Sequence, residues 1–149
     1  MYALKLGQSL VSSNRIGVAN DFVFTVLTNA ISGSSPAKKF QLPMVNVGNT
    51  NFVVEWGDGT KDTITTYNAA ETLHEYSVDG TYTIKIRGDY AWKFANVGDK
   101  AKMRNIETWG GFNFKTSQVF WSSTVTSTAT DYALVSTTNF QSCFRTNTF

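Results

Sequence analysis

The sequence predicts an all-β protein, and three observations carry that expectation. Apolar side chains recur with a period of two. Asp-Gly and Gly-rich turn signals separate the runs. No long stretch keeps a period of 3.6. The composition agrees. Of 149 residues 42% are hydrophobic, enough for a core, while only 16% are charged, below the ~25% of an average domain. Thr, Ser and Asn fill the difference, a mixture common in β-proteins outside cells.

Taken in order, Met1 to Val18 reads as an extended arm in which Tyr2, Leu4 and Leu6 alternate with Ala3 and Lys5. It is too short to fold alone. Phe22, Phe24 and Val26 then alternate with Val23, Thr25 and Leu27, and Phe52, Val54 and Trp56 share one face of a second strand. Tyr82, Ile84 and Ile86 oppose Thr81, Thr83, Lys85 and Arg87, the clearest half-buried strand. Tyr90, Trp92 and Phe94 alternate once more. Gly57-Asp58-Gly59-Thr60 reads as a tight hairpin turn, and Asp79-Gly80 as the turn before the Tyr82 strand. Gly33-Ser34-Ser35-Pro36 and Asn46-Val47-Gly48-Asn49 read as loops. A single helical turn is expected near Asn68 to Leu73, where Ala69-Ala70-Glu71 are reasonable helix formers. The expected organisation is an arm over 1–19, a sandwich domain over 20–90 and a small β-rich segment over 91–149.

Several function classes find no support. The net charge of +2 implies no strong pull toward nucleic acid or anionic membranes. Lys5 interrupts the first apolar stretch, so no secretory leader is read there, and no run approaches the ~20 apolar residues of a membrane span. The single cysteine, Cys143, excludes an intrachain disulfide and reads as a small buried hydrophobe. The single histidine, His74, has no second His or thiol cluster to build a zinc site. Gly-x-Ser-x-Gly and phosphate-loop signatures are absent. The expectation is therefore no enzyme and no cofactor.

Three weaker patterns have a bland reading and a sharper one. Asp58, Thr60 and Asp62 have a spacing that offers oxygens to calcium, but the rest of an EF-hand loop is missing; carboxylates bonded within a turn are the preferred reading. Lys93, Lys100, Lys102 and Arg104 read as a solvated basic edge that discourages strand addition, in preference to a phosphate site. Trp109, Phe112, Phe114, Phe120 and Trp121 read as core or intersubunit packing, with stacking on sugar rings as the alternative.

Two phrases resemble a known family. Val54-Glu55-Trp56-Gly57-Asp58-Gly59-Thr60 is followed by His74-Glu75-Tyr76-Ser77-Val78-Asp79-Gly80-Thr81-Tyr82-Thr83-Ile84. Together they are similar to the polycystic kidney disease (PKD) domain, an immunoglobulin-like antiparallel sandwich, over roughly Asn20 to Gly88. The turn here is shorter than the family's. The resemblance implies structural roles for Trp56, Gly57, Asp58, Gly59, His74, Tyr76, Gly80 and Tyr82. Trp56 would fill the space between sheets, Asp58 would hold its own turn, Tyr76 would serve as a tyrosine corner, and Gly80 would supply a positive φ. Beyond it, Gly98-Asp99-Lys100-Ala101-Lys102-Met103, Ile106 and Trp109-Gly110 resemble the segment that follows such a domain in BspA-like leucine-rich repeat surface proteins. Ala133 to Phe144 resembles one degenerate repeat, although such units need about three stacked neighbours.

Both resemblances point to surface modules, which also occur in phage particles. The expected function is a virion structural protein, such as a capsid decoration, head-fibre or tail-associated subunit, assembled in the host cytoplasm. A bacterial surface adhesin or a carbohydrate-binding module is the alternative. The expected partners are other virion subunits or further copies of the chain, with a host-surface glycan as a further candidate and neither nucleic acid nor membrane. Tyr2, Leu4, Leu6, Phe140 and Phe144 are the expected partner contacts, because large apolar groups dominate desolvated interface centres.

Overall fold

The computed structural model describes residues 21–30, 33–112 and 115–131. Eight strands follow one another in the described chain. They are β1 (Phe22–Leu27), β2 (Lys39–Gln41), β3 (Asn51–Glu55), β4 (Lys61–Ile64), β5 (Leu73–Glu75), β6 (Thr81–Asp89), β7 (Met103–Thr108) and β8 (Thr126–Ser127). A single 3₁₀ turn, Ala70–Thr72, stands where the sequence places a helical turn. The protein is all-β.

Six strands form one sheet in the order β4-β3-β6-β1-β7-β8, and β2 pairs with β5 in a second. All pairs are antiparallel except β7 with β8, which is parallel. The period-two reading fixes the faces. Phe22, Phe24 and Val26 are buried while their neighbours are half-exposed, and Phe52 and Val54 alternate with exposed Asn51, Val53 and Glu55. Trp56 follows the same face just past β3. The β2–β5 pair lies against this face: Phe40 of β2 approaches Phe24 at 6.1 Å between ring centroids, and Tyr76, just past β5, stacks on Tyr82 at 3.9 Å. Ile84 and Ile86 are buried as expected, but Tyr82 is half-buried, because its hydroxyl reaches out to the Val78 carbonyl at 2.9 Å.

The boundary drawn at residue 90 runs through the middle of the core. β7 pairs with β1 in the main sheet, and Trp92, Phe94, Met103, Ile106, Phe112 and Phe120 belong to the same buried cluster as Phe22 and Phe24. Trp92 meets Phe22 edge-on at 5.7 Å, and Phe112 meets Phe22 at 4.5 Å. Edge and tilted contacts of this kind suit the quadrupoles of aromatic rings. The expected strand over Tyr90 to Phe94 is reduced to one bridge, Met44 with Trp92. Ala95 and Asn96 have φ of 50° and 65°, which ends any extended run.

Candidate functional site

The richest polar constellation is the turn between β3 and β4 together with β5 beside it. The hairpin closes through Trp56 N–H to the Thr60 carbonyl at 3.1 Å. Within it, Asp58 Oδ1 accepts from Thr60 N at 3.0 Å and from Thr60 Oγ1 at 2.6 Å. Asp58 Oδ2 lies 2.8 Å from His74 Nε2. A carboxylate only accepts, so Nε2 carries the proton and the tautomer is set. Burial alone would raise the Asp58 carboxyl, but the bonds from Thr60 and His74 outweigh it and hold its pKa at about 2, below the ordinary 3.8.

Aromatic packing immobilises the histidine. Its ring stacks on Trp56 at 4.5 Å and 8°, and meets Tyr76 edge-on at 4.5 Å. Tyr76 donates its hydroxyl to the Trp56 carbonyl at 3.1 Å, and Trp56 Nε1 donates to Asp62 Oδ2 at 2.8 Å. Trp56, Asp58, His74, Tyr76 and Tyr82 are thus brought together in one cluster. Of the oxygens considered for calcium, those of Asp58 and Asp62 Oδ2 accept from protein donors, and the Thr60 hydroxyl donates to Asp58. Among the described residues no group of His, Cys, Asp and Glu is arranged to hold a metal ion.

Gly57 and Gly59 have positive φ, but Gly80 does not. Gly80 instead extends the β1–β6 ladder: its N–H bonds Thr28 Oγ1 at 3.0 Å, and its carbonyl accepts from Thr28 N at 3.0 Å. With both its N–H and its carbonyl bonded to Thr28 and its φ outside the positive region, Gly80 makes no use of the left-handed region, so that expectation is corrected.

The basic edge is corrected as well. Lys102 is only 1% exposed. Its ammonium donates to the carbonyls of Ser35, Pro36 and Lys39 at 2.9, 2.7 and 2.7 Å and to Ser35 Oγ at 3.0 Å. Asp99, fully buried beside it, accepts from Ser35 N at 2.9 Å, Gln41 N at 2.8 Å and Ser35 Oγ. This buried polar centre was missed from sequence, since its partners lie more than 55 residues apart and no local pattern marks them.

Phe112 and Phe120 are fully buried and Trp109 packs against the core, so these rings are packing groups and not a sugar platform. Tyr2, Leu4, Leu6, Phe114, Phe140, Cys143 and Phe144 lie outside the described residues, as does the repeat-like stretch Ala133 to Phe144. Among the described residues no helix is long and apolar enough to cross a membrane.

Compared with known protein families, curated proteins and solved structures, the chain gives no match.

Proposed function

We propose that the chain is a non-catalytic structural module with an immunoglobulin/PKD-like sandwich, acting through protein–protein contacts as a virion subunit of the capsid-decoration, head-fibre or tail-associated kind. One observation carries the non-catalytic reading. The polar groups of the richest exposed constellation among the described residues are engaged within their own fold: Asp58 by Thr60 and His74, Asp62 by Trp56, and the Tyr76 hydroxyl by a main-chain carbonyl. A general base needs a free face toward a substrate proton, whereas His74 is held between Trp56, Tyr76 and Asp58.

The sandwich reading is supported by the β2–β5 pair lying over the buried face of the main sheet, with Trp56 and Phe24 between them. It departs from a simple PKD-like unit in one respect: the sheet is extended past β1 by β7 and β8, which come from the segment that resembles BspA-like proteins. The virion reading rests on the resemblance of the two motif phrases and of that segment to surface modules.

Mass spectrometry of purified phage-like particles from the producing cells tests the assignment. The chain is expected at a fixed, repeated copy number per particle. Its absence from particles while abundant in the cell overturns the virion role. A turnover abolished by His74→Ala in a folded variant overturns the non-catalytic reading.

A further inference from the structure

We propose that the chain carries a binding cleft for a neutral oligosaccharide, on the end of the sheet where β3 begins and β4 ends. The β3–β4 hairpin fixes the place. Phe52 pairs with Ile64, so Asn51 at the start of β3 and the loop after Ile64 lie side by side. The loop over residues 46–50 meets the loop over 65–68, and together they enclose a cleft of about 590 Å³ lined by Asn46, Asn49, Asn51, Thr66, Tyr67 and Asn68 among others. Loops held side by side by a rigid ladder are a common setting for recognition.

The chemistry of the lining selects the ligand. No lining residue is charged. Phosphate, sulfate, nucleic acid and metal ions therefore lack the counter-charge they need. The cleft offers instead primary amides and hydroxyls, each able to donate and accept, as the vicinal hydroxyls of a sugar require. Among the described residues these side chains have no hydrogen-bonding partner in the protein, so their capacity is unspent. Lys115, at the rim by Gly48, is taken up by Asp89, and among the described residues the one charged residue lining the adjoining groove is Lys93.

Tyr67, 37% exposed, supplies an aromatic face. It stands between this cleft and a more apolar groove of about 700 Å³, lined by Leu42, Pro43, Met44, Leu73 and Val97 among others. A pyranose ring has an apolar C–H face and a polar rim, and a tyrosine flanked by amides on one side and aliphatic carbon on the other matches both. The two hollows meeting at Tyr67 give room for more than one sugar unit. The site is independent of the virion reading; on a particle or on a cell it would act in attachment.

The full-length chain is applied to an array of neutral and anionic oligosaccharides, and the strongest neutral glycan is then titrated by calorimetry. Binding to at least one neutral glycan is expected. Tyr67→Ala and Asn68→Ala should each weaken it tenfold or more, while Tyr67→Phe should stay within about threefold of the native chain, since it retains the ring. Each of these residues is exposed, and far-UV circular dichroism confirms folding before titration. No binding to any neutral glycan, binding confined to sialylated or sulfated glycans, or undiminished binding by folded Tyr67→Ala and Asn68→Ala each overturns the proposal. None of these outcomes bears on whether the chain is found in particles.

Discussion

Gly57 and Gly59 flank Asp58 in one turn, and both have positive φ, 86° and 92°. Their surroundings differ. A Cβ on Gly57 would lie 2.4 Å from the Thr83 carbonyl oxygen, whereas a Cβ on Gly59 meets nothing within 4 Å. Gly59→Ala should therefore show only the backbone penalty, about 1–2 kcal/mol. Gly57→Ala should cost more than that, roughly 3 kcal/mol or above, because β6 must also move. Urea unfolding of the two variants checks the order. Trp56→Ala should cost roughly 3–5 kcal/mol, the range for deleting a large buried aromatic; near-native stability by the same measurement would contradict its place in the core. Asp58 gives a pH signature. Its folded pKa of about 2 lies below the ordinary 3.8, so its contribution is present above about pH 4 and lost as pH falls toward 2. The native chain should lose stability across that window, and Asp58→Asn should lose less, so that the two unfolding curves converge at the acid end.

Among the elements, the stretch before β7 behaves least like its sequence. Lys100, Lys102 and Arg104 alternate as a solvated edge would, yet β7 is an interior strand of the sheet, between β1 and β8. The chain turns Lys102 inward, where its ammonium ties residues 35, 36 and 39 to the main sheet, while Asp99 holds the N–H groups of Ser35 and Gln41. The pair thereby anchors the lead-in to β2 on the strand that borders β1. Lys102→Met fills the volume but leaves the Ser35 carbonyl without its donor, while the Pro36 carbonyl still accepts from Lys39 N, the Lys39 carbonyl from Ser35 Oγ, and Ser35 Oγ stays bonded to Asp99. At about 1–3 kcal/mol for an unsatisfied buried group, it should cost about that much, beyond a surface lysine. A loss below about 1 kcal/mol in urea unfolding would show that the acceptor finds water instead.

For the molecule as a whole, one core serves residues on both sides of position 90. A chain ending at residue 90 loses β7 from the flank of β1 and removes Trp92, Phe94, Phe112 and Phe120 from around Phe22 and Phe24. It should fail to unfold cooperatively by calorimetry, while the full chain gives a single transition. A truncated chain with a sharp transition would restore the two-unit organisation that the sequence suggested. Assembly belongs to this scale too. The expected contacts Tyr2, Leu4, Leu6, Phe140 and Phe144 lie outside the described residues, and sedimentation of the full chain is expected to show an oligomer.

Local periodicity and the Asp-Gly turn signal by themselves determined the all-β class, the buried residues Phe52 and Val54 of β3 and Ile84 and Ile86 of β6, and the turn at Asp58. Each is set by residues within a few positions of one another, as with Phe52, Val54 and Trp56. The two motif phrases gave Trp56, Asp58, His74 and Tyr76 separate structural roles, and the contacts among them, from the Asp58–His74 bond to the His74 ring stacked on Trp56, are made by the fold. Only the tertiary structure decided the rest, because the deciding contacts are remote in sequence. Gly80 stays out of positive φ where Thr28, 52 residues away, bonds both its N–H and its carbonyl. Lys102 is buried because Ser35, 67 residues away, and its neighbours present carbonyls to it. The Asn-rich loop over 46–49 reads in sequence only as a loop. It becomes one wall of a cleft because strand pairing brings Tyr67 and Asn68 opposite, and pairing register is a property of the folded sheet.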